Sequence, residues 1–281
     1  MNPPRKTLLL AVLATLVCVI PAAAQVPRVA PSPGFVLVTE RAVAGVTVQQ
    51  WVRGSSPEVS PAGMCECMTV VYQGTTPVLT LGQPDLVSAI TINEVSGRDI
   101  NGDGVADLVV DEWSGGAHCC YETTIYSLEQ RPRPLLSLQA GNCGPGELLD
   151  LDGDGRLEVV TCDDRWAATY CPFAFSPMPR VVFAYDVVTR EYVPDTPRFA
   201  RRSGDQLAAA VSEAERAVRD IDIREPGREK CAVLGPALTS MYEGRVDDGV
   251  AIIRRVYTRA DRDELEREVV AQVMSSPLWR R

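Results

Sequence analysis

Asp99-Ile100-Asn101-Gly102-Asp103-Gly104-Val105-Ala106-Asp107 and Asp150-Leu151-Asp152-Gly153-Asp154-Gly155-Arg156-Leu157-Glu158 are two loops of one design, 51 residues apart. Each places an oxygen-bearing side chain at its first, third and fifth positions: Asp99, Asn101 and Asp103, then Asp150, Asp152 and Asp154. Glycines at the fourth and sixth positions let the backbone curl with no β-carbon in the way. The seventh residue, Val105 or Arg156, is placed to offer its carbonyl, and an acid, Asp107 or Glu158, closes the loop at the ninth. Short loops that present only oxygen ligands in this alternation suit a hard cation, so the expectation is two calcium sites. An EF-hand is excluded: position twelve is Val110 or Thr161 rather than a bidentate Glu, and strand-like residues follow where a helix is needed.

Outward from the loops the chain reads as β. Short β-branched runs occur at 35–38, 46–48, 68–72, 78–81, 87–92, 108–111, 123–127, 135–138, 158–161, 181–185 and 191–193. One unit runs from the Asp99 loop through 108–110, the Cys119-Cys120 pair, 123–127 and 135–138. The next repeats this order from Asp150, and a partial unit containing Cys65 and Tyr72 precedes both. About three sheet units are expected, stacked to bury faces that no unit buries alone. From Asp205 onward the period changes. Leu207, Val211, Ala214 and Val218, then Cys231, Leu234, Leu238 and Met241, then Val250, Ile253 and Val256 recur at helical spacing. A last helix opens at Asp261, with Glu264 three residues on as a capping-box pattern, so about four helices are expected.

At these loops the chain resembles the FG-GAP and VCBS-type repeats of extracellular β-propellers, where such a loop binds calcium between strands of a blade. The resemblance spans residues 60–195, and its specific motifs are the two loops with the Leu108-Val109-Val110 and Glu158-Val159-Val160 strands after them. It implies a mainly β fold with an incomplete, β-propeller-like repeat region over 35–197, followed by a C-terminal helical region over 198–281. Too few units are present to close a ring, and no catalytic motif comes with the resemblance.

The remaining sequence bounds the setting. Arg5 and Lys6, the apolar run 8–20 and Ala22-Ala23-Ala24 read as an export signal (1–24) cleaved before Gln25, with a Pro-rich leader at 25–34. The expected location is therefore the periplasm or the outside of the cell, without a membrane span. Loss of Arg5 and Lys6 takes the formal charge from −9 to −11, a surface that repels nucleic acid. Eight cysteines remain: 65, 67, 119, 120, 143, 162, 171 and 231. An even number in an exported chain argues for disulfides. If all eight pair, Cys231 bridges back into the β-region; the adjacent Cys119 and Cys120 are expected to serve two separate bridges, because neighbouring strand residues face opposite ways.

Three functions follow as expectations. The first is a non-enzymatic binding or scaffolding module of the cell envelope, with structural calcium and a protein or cell-wall glycan as partner. Trp51, Trp113 and Trp166 are the residues that could stack on sugars, although packing at blade edges is the preferred reading of them. The second is an envelope hydrolase with a calcium- or His118-centred site, the latter with Asp111 or Glu112 orienting His118 and Ser114 as nucleophile. Eight consecutive residues make a poor triad, since each member must approach from its own direction. The third is a partner-docking role for the C-terminal helices.

Overall fold

The computed structural model describes residues 25–54, 63–116, 119–200, 206–219 and 227–280. The export segment expected at 1–24 and His118 lie outside the described residues.

Strands dominate, and they pair in sequence order. β1 (Phe35–Val43), β2 (Val46–Arg53), β3 (Cys65–Gln73) and β4 (Thr76–Leu81) form one antiparallel meander. β5 (Val87–Ile92), β6 (Asp107–Trp113), β7 (Tyr121–Ser127) and β8 (Arg133–Gly141) form a second. β9 (Glu147–Leu149), β10 (Glu158–Cys162), β11 (Arg180–Asp186) and β12 (Glu191–Pro194) form a third. The pairs Cys65↔Ser88 and Glu66↔Val87 join the first two meanders, so the described strands make two sheets, one of eight strands and one of four. Every β-branched run in the sequence became a strand. β9 was not foreseen, because three residues are too few for an alternation to register.

The period-2 pattern sets the faces. On β7, Thr123, Ile125 and Ser127 are buried while Glu122, Thr124 and Tyr126 are half-exposed. Both acidic loops occupy the same station, between the first and second strands of their meander, and Asp107 and Glu158 are the first residues of β6 and β10. The first meander has the tight Ala44-Gly45 turn there instead.

Four α-helices follow among the described residues: α1 (Gln206–Arg219), α2 (Arg228–Tyr242), α3 (Val246–Val256) and α4 (Arg262–Met274). Their apolar faces close a single core with the second and third meanders. Leu234, Leu238, Ile252, Ile253 and Val269 are fully buried in one cluster with Val109, Ile125, Val159 and Val181. Each such side chain contributes about 1.5–3 kcal/mol as an upper figure, so the helices and the β-region stabilise each other. A buried polar clamp sits in this junction. Asp163 is only 2 % exposed, and its Oδ2 accepts hydrogen bonds from Tyr242 Oη and Ser276 Oγ, each at 2.6 Å. The Arg165 side chain donates to Oδ1 of the same carboxylate at 3.1 Å.

Two sequence expectations are corrected. Cys119 and Cys120 pair with each other rather than serving separate bridges, and Cys65 pairs with Cys67 across one intervening residue. The alternation argument fails for Cys119-Cys120 because the pair precedes β7, where the chain is not a strand. Cys143–Cys162 and Cys171–Cys231 complete the set, the last carrying the helices back to the β-region as parity required. The capping box at Asp261 is absent. The Asp261 carboxylate is held by Tyr257 Oη at 3.0 Å and Lys230 Nζ at 2.7 Å, so it makes no cap bond to its own helix.

Candidate metal centres

The loops coil around their own carboxylates. In the first, Asp99 Oδ1 accepts from the Gly102 N–H at 2.7 Å and Asp99 Oδ2 from the Gly104 N–H at 2.8 Å. Asn101 Oδ1 accepts from the Asp103 N–H, and Asp103 Oδ1 from the Val105 N–H, both at 2.9 Å. Asp107 Oδ2 reaches back to the Ile100 N–H at 3.0 Å. The second loop repeats these bonds one repeat later. Asp150 takes the Gly153 and Gly155 N–H groups, Asp152 that of Asp154, Asp154 that of Arg156, and Glu158 that of Leu151. Gly102, Gly104, Gly153 and Gly155 all have φ between 75° and 89°, the left-handed region that side chains disfavour. The alternation of acid and glycine thus dictates the curl, and the curl turns the carboxylates to one side.

Asp150, Asp152 and Glu158 each bring a carboxylate oxygen to within 4.8 Å of the others. In the first loop the closing acid is the informative group. Asp107 is 0 % exposed, and its Oδ1 is buried without a hydrogen-bond partner among the described residues. A buried carboxylate oxygen left unpaired is costly, and a proton or a bound cation would each offset that cost. The donor set is entirely oxygen, which fits a hard cation and not a thiolate- or imidazole-seeking one. Val105 and Arg156 hold the seventh positions, and their N–H groups are the ones donated to Asp103 and Asp154.

The electrostatics follow from this crowding. Burial pushes the Asp107 carboxyl up to about 7, with the charges of Asp103 and Asp99 adding to the shift. Glu158 is raised for the same reason, burial first and then Asp152 and Asp154, while Arg198 opposes the shift. Three residues that the sequence did not single out complete the site. Tyr185 Oη donates to Asp103 Oδ2 at 3.2 Å, and Tyr192 Oη donates to the Leu157 carbonyl at 3.1 Å. Arg198 pairs directly with Asp152 and lies 4.0 Å from Asp154. Tyr185 lies 82 residues from its partner and Arg198 lies 46 from Asp152, so no local pattern announces them.

The other sequence candidates separate. Asp111 and Glu112 are consecutive on β6 and point to opposite faces. Asp111 accepts from Thr123 Oγ1 at 2.7 Å and from Asn93 Nδ2 at 3.1 Å, while Glu112 lies opposite Glu122 on β7. Ser114 is exposed. Trp51 and Trp166 are 3 % and 0 % exposed, which removes both as sugar-stacking platforms. Trp113 is half-buried, stacks on Tyr121 at 5.7 Å, and donates its indole N–H to the Cys119 carbonyl.

No protein-family model and no solved structure matches the chain. The uncharacterized protein y4bJ of Sinorhizobium fredii (strain NBRC 101917 / NGR234) is 33 % identical to it over 76 residues. That stretch is 26 % of this chain and 12 % of the relative, so the chain spans about an eighth of that protein's length. No helix among the described residues is long and apolar enough to cross a membrane.

Proposed function

We propose that this is an exported, calcium-binding, disulfide-braced binding or scaffolding module of the cell envelope, with two calcium ions that are mainly structural. The observation that carries the reading is the repeated wiring of the two loops, ending in the buried Oδ1 of Asp107, unpartnered among the described residues. Asp99, Asn101, Asp103 and Asp107 would hold one ion, and Asp150, Asp152, Asp154 and Glu158 the other, with the Val105 and Arg156 carbonyls available to each. An ion that binds only the folded chain stabilises it by about 2.7 kcal/mol at a hundredfold excess over its dissociation constant.

Three consecutive four-stranded meanders, two of them with the loop at one fixed station, support an incomplete β-propeller-like arrangement, in which calcium rigidifies the blade edges. Four disulfides among the described residues support an oxidising compartment, hence the periplasm or the cell exterior. The partner we infer is a protein or a cell-wall glycan.

A thermal melt of the oxidised protein after chelation, and then with added calcium or magnesium, tests the reading. Calcium should raise Tm by several degrees, magnesium should do less, and changing Asp103 and Asp154 together to Ala should abolish the rise. Equal melts in chelator and in calcium would remove the metal, and with it the family-based account.

A further inference from the structure

The connection from β6 to β7 ends in Cys119-Cys120, and these two adjacent residues are bonded to each other. Cys120 is exposed and Cys119 half-buried, whereas Cys67, Cys171 and Cys231 are only 8 %, 7 % and 4 % exposed. From this placement we infer that Cys119–Cys120 is a thiol–disulfide exchange site, which takes two electrons from a dithiol while Cys65–Cys67, Cys143–Cys162 and Cys171–Cys231 stay closed.

The connection is built to hold the pair at the surface. The Trp113 indole N–H donates to the Cys119 carbonyl at 2.9 Å and to the Gly116 carbonyl at 3.3 Å. Trp113 is itself fixed by its stack on Tyr121 at 5.7 Å. The Ser114 N–H reaches the Cys120 carbonyl at 3.3 Å, so the main chain of both cysteines is tied to the end of β6. Gly116 is required where it stands, because an added β-carbon would collide with Cys119 Sγ and crowd the Cys119 carbonyl. These hydrogen bonds are made by main-chain and indole groups, so none of them is lost when the S–S bond opens.

Loop size is a second, independent observation. A disulfide stabilises a fold largely by closing a loop in the unfolded chain, and the gain rises with the number of residues enclosed. Cys171 and Cys231 lie 60 residues apart and Cys143 and Cys162 lie 19 apart, so both of those bonds restrict the unfolded chain. Cys119–Cys120 encloses no residue, and the β6–β7 ladder from Asp107↔Ser127 to Trp113↔Tyr121 holds the hairpin without it. Bracing therefore does not account for this bond. Cys65–Cys67 closes a comparably short loop but has a buried member, and it serves as the internal comparison.

Exchange requires a thiolate to reach one sulfur of the bond, so access decides which disulfide reacts. The first thiolate of the dithiol attacks the exposed Cys120 Sγ. The electron pair of the broken S–S bond leaves on Cys119 Sγ, which takes a proton from water. The second thiol of the reagent, its proton released to solvent, then attacks the reagent's own first sulfur and expels the Cys120 thiolate, which is protonated in turn. Cys119 and Cys120 end as two thiols, and the dithiol ends as a cyclic disulfide. A small dithiol and a Cys-Xaa-Xaa-Cys pair on another protein share this chemistry.

The test is timed reduction of the oxidised protein by dihydrolipoate, and separately by a peptide carrying a Cys-Gly-Pro-Cys dithiol, with an alkylation quench and peptide mass spectrometry. Cys119 and Cys120 should be alkylated at least about tenfold faster than Cys65 and Cys67, and the remaining cysteines should lag further. The selectively reduced protein should keep its Tm, and a folded Cys119→Ser, Cys120→Ser double variant should lose the fast phase. Each reagent's rate is normalised to its rate with oxidised glutathione. A larger normalised rate for the peptide identifies a protein dithiol as the source of electrons, and a larger one for dihydrolipoate a small dithiol. Equal rates at Cys119–Cys120 and Cys65–Cys67 overturn the inference. So does no reduction by either reagent, loss of the folded state on selective reduction, or oxidised protein in which Cys119 and Cys120 belong to separate bridges. These arms leave the acidic loops intact, so their failure is distinct from failure of the calcium reading.

Discussion

Leu157 donates its backbone N–H to the carbonyl of Ile100 at 2.8 Å, joining the second acidic loop to the first. Arg156, beside it, lays its side chain over Gly102, where an added β-carbon would stand 3.0 Å from Nε. The two candidate metal centres are thus neighbours that share a hydrogen bond and a packed contact.

Coupling between the centres follows. Asp107→Asn, which disables the first loop, should also weaken calcium binding at the second, by about five- to tenfold if the coupling lies at the low end of the usual range. Calorimetric titration of single-loop variants measures this. Independent affinities in Asp107→Asn and Glu158→Gln would show that the Leu157–Ile100 contact transmits nothing.

Arg198 places a cation at the second loop through Asp152 and Asp154, and the first loop has a neutral Tyr185 hydroxyl in the comparable role. A bound ion must compete with that guanidinium. Arg198→Gln should raise calcium affinity at the second loop roughly two- to fivefold, the scale of one partly exposed ion pair. Terbium luminescence on chain whose first loop is disabled reads this site alone, and a weaker site in Arg198→Gln would contradict the argument.

Asp107 makes the chelated protein pH-sensitive in a definite direction. Its carboxyl is raised to about 7 in the fold, against roughly 4 in the unfolded chain. Between those values the folded state holds a proton that the unfolded state has released. The contribution of this group to stability therefore falls as pH rises from about 4 to about 7, and is constant outside that window. In chelator, the Tm of Asp107→Asn should lack this decline. Superimposable pH profiles of the two proteins would refute the assignment.

The Asp163 clamp ties the helices to the third meander. Tyr242→Phe removes a 2.6 Å hydrogen bond to a buried carboxylate and should cost about 1.5–3 kcal/mol in denaturant unfolding. Ser276→Ala should behave alike, and the pair should be non-additive because both hydroxyls meet the same oxygen. Unfolding should remain one transition by helix and tryptophan signals alike. Two separate transitions would mean that the helices fold as an independent unit.

Local chemistry in the chain determined a good deal. The acid-glycine alternation dictates the curl of each loop, since only glycine takes positive φ cheaply and each carboxylate finds an N–H two to seven residues away. Period 2 and period 3.6 placed eleven of the twelve strands and all four helices, because side-chain direction in a strand or helix is a local property. What tertiary structure alone decided is everything that joins distant residues. The approach of Tyr185 and Arg198 to the loops and the Asp163 clamp depend on which elements pack together. Those contacts are set by burial of apolar faces shared across the whole core, and a single stretch of chain carries no record of what will be packed against it.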